Sequence, residues 1–144
     1  MRTLILACLV TLASSACATD RISDTDRLQM YRAHAGAPVP SFQYFGRLDG
    51  WTPLGDEALA VWTKPSEVYL LELNGRCVDL DFAQAISLTN QSGRVYSRFD
   101  KVLVVGSGTN QIPCWIKDIR PVDAKALREA EKEHRQAQTV ERDA

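Results

Sequence analysis

A chain of 144 residues, 45% hydrophobic and 24% charged, has the size and composition of one ordinary globular domain. Its 17 basic residues are offset by 18 acidic ones with no basic stripe, which argues against a nucleic-acid partner.

Met1-Arg2-Thr3 sets one positive charge before the apolar run from Leu4 to Ala13, and Ser14-Ser15-Ala16 closes it with small residues. That order reads as a secretory signal peptide over residues 1–16. The run is too short for a membrane-spanning helix, which needs ~20 apolar residues. Ser14-Ser15-Ala16-Cys17 resembles the lipobox of bacterial lipoproteins, although Ser14 stands where Leu is usual. The resemblance implies that Cys17 becomes the mature N-terminus and carries lipid, palmitate included, with the membrane as a partner. Ala18, in place of an Asp after the Cys, points to the outer membrane, facing the periplasm. The competing reading is ordinary cleavage after Ala16 or Ala18, which would give a soluble periplasmic or secreted protein.

Residues 17–40 read as a lipid-anchored tether with one short helix. Ser23 supplies a hydroxyl cap, Asp24 and Asp26 suit the helix dipole, and Leu28 and Tyr31 share a face. Gly36 and Pro38 stop it, and His34 in the last turn reads as a solvated cation.

Residues 41–121 read as a β-rich domain. Phe42 to Phe45 leads into turn residues from Gly46 to Asp56. Ala58–Thr63 and Val68–Leu73 flank the four-residue loop Lys64-Pro65-Ser66-Glu67 as a hairpin, with Tyr69, Leu71 and Leu73 on one face and Val68 and Leu70 on the other. Val78, Leu80 and Phe82 alternate with Asp79 and Asp81, as in a strand or an extended entry into Ala83–Ile86. Asn90 to Gly93 is a turn, Val95-Tyr96 and Lys101–Val105 are strands, and Gly106 to Asn110 is a loop. Ile112–Ile119 is the last strand, where Pro113 calls for a strand start or an edge. Residues 122–144 read as a charged C-terminal helix and tail capped by Asp123, with Leu127 and Ala130 facing the core and Glu131 paired to Arg135. The fold class is α+β: about five to seven short antiparallel strands in one curled sheet or small barrel, with a helix at each end.

Of four cysteines, Cys8 leaves with the leader and Cys17 is the lipid site, so Cys77 and Cys114 remain. In an oxidising compartment these are most simply one disulfide. A buried free pair, a catalytic thiol and a metal site are the alternatives. The absence of C-x-x-C spacing and the presence of only two histidines tell against the last two.

The segment from Phe42 to Pro121 resembles a family of small uncharacterised secreted proteins and lipoproteins of Gram-negative bacteria. The likeness rests on Tyr44-Phe45-Gly46-Arg47-Leu48-Asp49-Gly50-Trp51, Ala60-Val61-Trp62-Thr63, Tyr69-Leu70, Cys77-Val78-Asp79-Leu80, Phe99-Asp100-Lys101-Val102, and Cys114 with Ile116, Ile119, Arg120 and Pro121. It implies a two-cysteine β-rich domain and an envelope address, and it attaches no activity to any residue.

Gly106-Ser107-Gly108 lacks the first glycine of a nucleophile elbow, and no catalytic residue, metal ligand set or cofactor motif is assigned. Arg47, Asp49 and Trp51 form the candidate ligand-binding loop, a Trp beside charges of both signs, as a glycan or peptide groove presents. The alternative for that loop is core packing of Phe45, Leu48 and Trp51, with Arg47 and Asp49 paired. The expected function is a non-catalytic binding or structural module that takes a glycan, a peptide or an envelope protein. The rival is a periplasmic hydrolase using carboxylates such as Asp49, Asp79 or Asp100.

Overall fold

The computed structural model describes residues 21–105 and 111–144. The expected leader, the expected lipid site Cys17 and the loop from Gly106 to Asn110 lie outside the described residues.

Helix α1 (Asp24–Ala33) starts where Ser23 Oγ accepts the Asp26 N–H at 3.1 Å, and it ends at His34. Eight strands follow: β1 (Ser41–Gln43), β2 (Gly50–Pro53), β3 (Ala58–Lys64), β4 (Glu67–Leu73), β5 (Ala85–Leu88), β6 (Arg94–Tyr96), β7 (Lys101–Val105) and β8 (Gln111–Val122). Helix α2 (Ala124–Asp143) closes the chain, with the Asp123 carboxylate accepting the N–H groups of Lys125 and Ala126. Six strands form one curled antiparallel sheet in the order β2-β3-β4-β8-β7-β5, and β1 and β6 form a separate two-stranded ribbon. The fold is the α+β architecture expected, with a helix on the N-terminal side and another at the C-terminus.

Alternation along the strands feeds two cores. Leu59, Val61, Leu71, Leu73, Val102 and Ile119 bury one face of the sheet beneath Phe42 and Tyr44 of the β1 side and Val95 of β6. Ala58, Ala60, Val68 and Leu70 bury the opposite face beneath Tyr31 of α1 and Leu127 of α2. The two sides of β4 divide as its sequence reads. Ile116 and Ile119 are three residues apart and would fall on opposite faces of a regular strand. A register shift opposite Glu72/Leu73 sets Ile119 against Leu71 and Ile116 against Leu73, so both reach the same core.

Pro113 lies on the part of β8 that pairs with β7 but extends past the last β4 partner, at an edge where its missing N–H costs no ladder bond. The Cys77–Cys114 disulfide joins the end of the β3–β4 hairpin to this part of β8, with Cα atoms 5.6 Å apart.

Three local expectations need correction. The loop of the β3–β4 hairpin is only Pro65-Ser66, because a bulge at Thr63 brings Lys64 opposite Glu67 as the last rung. Strand β2 lies within the stretch read as turns and pairs along β3, Trp51 opposite Val61. The alternating run from Val78 to Phe82 is no strand: Asp79 takes φ 63° and Leu80–Phe82 is a single 3-10 turn. Leu80 alone of the three apolar residues is buried there, with Val78 62% and Phe82 84% exposed.

Candidate functional site

The chain from β1 to β2 brings Phe45 and Arg47 to a cleft of about 430 Å³ between the outer edge of β1 and the tip of the β3–β4 hairpin. Ser41, Phe42 and Gln43 form one wall, and Thr63, Lys64, Glu67 and Tyr69 form the other. The β1–β6 register sets Gln43 opposite Arg94, which adds a guanidinium to the cleft. Arg94 donates to Ser41 Oγ at 2.8 and 3.1 Å. Tyr69 stacks on Phe42 with ring centroids 4.6 Å apart, which fixes the floor.

Glu67 is the cleft's one carboxylate, and its oxygens are occupied. It accepts the Thr63 hydroxyl at 2.6 Å, the Lys64 ammonium at 3.2 Å and the Tyr69 hydroxyl at 3.4 Å. The Thr63 bond is the main cause that holds its carboxyl below the ordinary range; partial desolvation opposes it and Lys64 reinforces it. Desolvation, and then the Glu67 charge, push the Tyr69 hydroxyl above the ordinary phenol range. Arg47 has no ion pair or hydrogen-bond partner among the described residues. Phe45 beside it is 74% exposed. The site therefore offers Arg47, Lys64 and Arg94 against one carboxylate that already accepts three donors, with an exposed aromatic at its mouth. In charge and shape such an arrangement suits an anionic, partly apolar ligand.

The family of unknown function DUF6491 matches residues 1–138. The chain belongs to that family. No curated protein and no solved structure matches it.

In this DUF6491 protein the three residues of the expected binding loop part company. Arg47 enters the cleft, whereas Asp49 and Trp51 are not in its walls. Asp49 is exposed, and its backbone N–H donates to the Trp62 carbonyl at 2.7 Å. Trp51 and Leu48 pack partly buried against the ribbon-side core, as the core-packing alternative has it, but Phe45 does not. No ion pair joins Arg47 to Asp49 among the described residues.

The carboxylates Asp49, Asp79 and Asp100 do not share a described cleft. Asp79 borders a shallow hollow with Asp56, Arg76 and Asp81. There the nearby Arg76 guanidinium pairs with Asp56, and Asp81 is raised above the ordinary carboxyl range by desolvation, then by the charges of Asp24 and Asp56. Asp100 is 1% exposed and engaged structurally: one oxygen accepts the Thr89 hydroxyl at 2.7 Å and the other the Tyr96 N–H at 2.8 Å. Among the described residues no three His, Cys, Asp or Glu side chains are grouped to hold a metal ion, and no helix is long and apolar enough to cross a membrane.

Sequence reading of the DUF6491 chain found Arg47 but missed Lys64, Glu67, Tyr69 and Arg94 as its neighbours. Arg94 reaches the cleft only through the β1–β6 pairing, between segments about 50 residues apart. A short stretch such as Arg94-Val95-Tyr96 carries no periodic signal of its partner. Glu67 and Lys64 flank Pro65-Ser66 in the sequence, where charged residues read first as a solvated turn.

Proposed function

We propose that this DUF6491 protein is a non-catalytic binding module of the Gram-negative envelope. In this reading residues 1–16 export it and lipid on Cys17 holds it at the outer membrane, facing the periplasm. Its cleft at Arg47 takes part of a glycan, a peptide or another envelope protein. The observation that carries the reading is the collection of Arg47, Lys64 and Arg94 around one carboxylate, beside the exposed Phe45, in a chain whose net charge is only −1. Glu67 supports a binding role over acid–base work, because three donors hold it ionised with its oxygens occupied. The Cys77–Cys114 bridge agrees with an oxidising compartment.

Full-length wild type, Arg47→Glu and Cys17→Ser test the two halves of the proposal. Membrane-extracted wild type is expected to show an acylated N-terminus by intact mass, and Cys17→Ser to leave the membrane fraction. An unmodified N-terminus at Thr19 would remove the anchor. Wild type is expected to retain a component from fractionated envelope glycan, peptide or protein that Arg47→Glu does not retain. Equal retention by both would remove the cleft.

A further inference from the structure

Resting on the binding reading of the same cleft, we infer that its ligand is an extended acidic peptide that adds as a third strand to the outer edge of β1. The ribbon's hydrogen-bond phase decides which edge is open. The Tyr44 N–H donates to the Gly93 carbonyl and the Ser97 N–H to the Pro40 carbonyl, so residues 40, 42 and 44 bond toward β6. Ser41 and Gln43, at the alternate positions, turn their N–H and C=O groups away from β6, and both residues line the cleft. No backbone partner meets those groups among the described residues.

The far side of β6 is closed in the way β1 is not. The outward Tyr96 N–H is taken by the buried Asp100 carboxylate, and Arg94 exchanges backbone bonds with Gln91. One edge of the ribbon is therefore capped by its own chain, and the other presents two rungs to a cleft wide enough for a ligand. An unpaired strand edge matches the repeat of an extended peptide backbone. A glycan has no amide ladder with that spacing.

Charge fixes the peptide's chemistry. Three cations and one carboxylate leave the cleft positive in a chain whose net charge is −1. Side chains of an added strand alternate, so acidic residues on one face would meet Arg47 and Arg94 while the outward Phe45 offers an apolar contact.

The test uses fluorescence anisotropy of the full-length protein with a labelled Glu-Val-Glu-Val-Glu-Val peptide. Its controls are a twin with Lys for Glu and a twin with N-methylated backbone amides. Oligogalacturonate, an acidic glycan, is titrated in parallel. The acidic peptide is expected to bind, with both twins weaker by about tenfold or more. Gln43→Pro removes an outward N–H that makes no ladder bond and is expected to weaken peptide binding by a similar factor, as is Arg47→Glu. The thermal midpoint of the proline variant is measured first to show that it is folded, and the N-methylated twin decides the question with unaltered protein. Equal binding of the N-methylated twin, or no binding of the acidic peptide, overturns strand addition. If oligogalacturonate or an envelope component still binds in an Arg47-dependent way, the binding module stands and only the peptide inference falls. If nothing depends on Arg47, both fall.

Discussion

Replacing Asp100 by Ala tests whether the only charged side chain buried among the described residues is a structural clamp. Its carboxylate accepts the Thr89 hydroxyl and the Tyr96 N–H, while its own N–H donates to the Tyr96 carbonyl and its carbonyl accepts the Ile116 N–H. Only the two side-chain bonds vanish in Asp100→Ala. A hydrogen bond to a charged group contributes ~1.5–3 kcal/mol, and a buried donor left without a partner costs a comparable amount. The Thr89 hydroxyl still accepts the Lys101 N–H at 2.8 Å and can reorient, so the loss is partial on that side. The expected destabilisation is about 3–5 kcal/mol, a large share of the ~5–15 kcal/mol that holds a domain together. Asp100→Asn keeps an acceptor for Tyr96 and turns an amide toward Thr89, and it is expected to cost about 1–2 kcal/mol. Urea unfolding followed by tryptophan fluorescence gives both values from the midpoint and slope. A Thr89→Val background is expected to shrink the Asp100→Ala effect by at least about 1 kcal/mol, because the two share one bond. Variants within about 0.5 kcal/mol of wild type, or strictly additive effects, would refute the clamp.

Three further outcomes follow from the same geometry. Cys77→Ala is expected to cost on the order of 2–5 kcal/mol, with little more lost on adding Cys114→Ala, since loop-closure entropy for a separation of 37 residues is worth roughly 4 kcal/mol; non-reducing peptide mapping and urea melts check it, and two alkylatable thiols in the folded protein would contradict it. Asp81→Asn is expected to raise the thermal midpoint near neutral pH and to change nothing well below the ordinary carboxyl range. A carboxyl raised in the folded state contributes stability below its unfolded value and loses it as pH rises through the folded one, so melts across that range give the answer. Arg128→Ala is expected to cost about 1–2 kcal/mol, because its guanidinium lies 5.4 Å from the Trp62 ring centroid and donates to the Pro65 carbonyl; a loss of α2 helicity in circular dichroism with no change in the midpoint would contradict that weight.

What could be read from residues alone was whatever repeats with a local period. The Ser23 cap, the Asp123 cap and the two faces of β4 follow from spacing within one element, and the structure keeps them. Strand β2 was obscured because Gly50 and Pro53 bound a strand of only four residues, too short to show alternation. From Val78 to Phe82 the sequence alternates perfectly, yet the left-handed Asp79 and the tie of the Cys77 N–H to the Asp56 carbonyl bend the chain into a turn. Register between distant segments leaves no local trace, so Arg47 was found without Arg94. Asp100 looked like a turn acid or a catalytic candidate, and only burial with two donors aimed at it distinguishes a clamp from either.

The helix-side core has a consequence for the order in which the protein is made. Ala60, Val68 and Leu70 are synthesised well before Leu127, the side chain that covers them with Tyr31 of α1. Until the first turns of α2 are available, that face of the sheet stays half roofed, so the domain cannot complete its fold before Leu127 has been delivered. A chain cut before Leu127 would keep both partners of the disulfide and expose an apolar sheet face, and a fusion at the C-terminus is tolerated only if it leaves the first two turns of α2 free to dock.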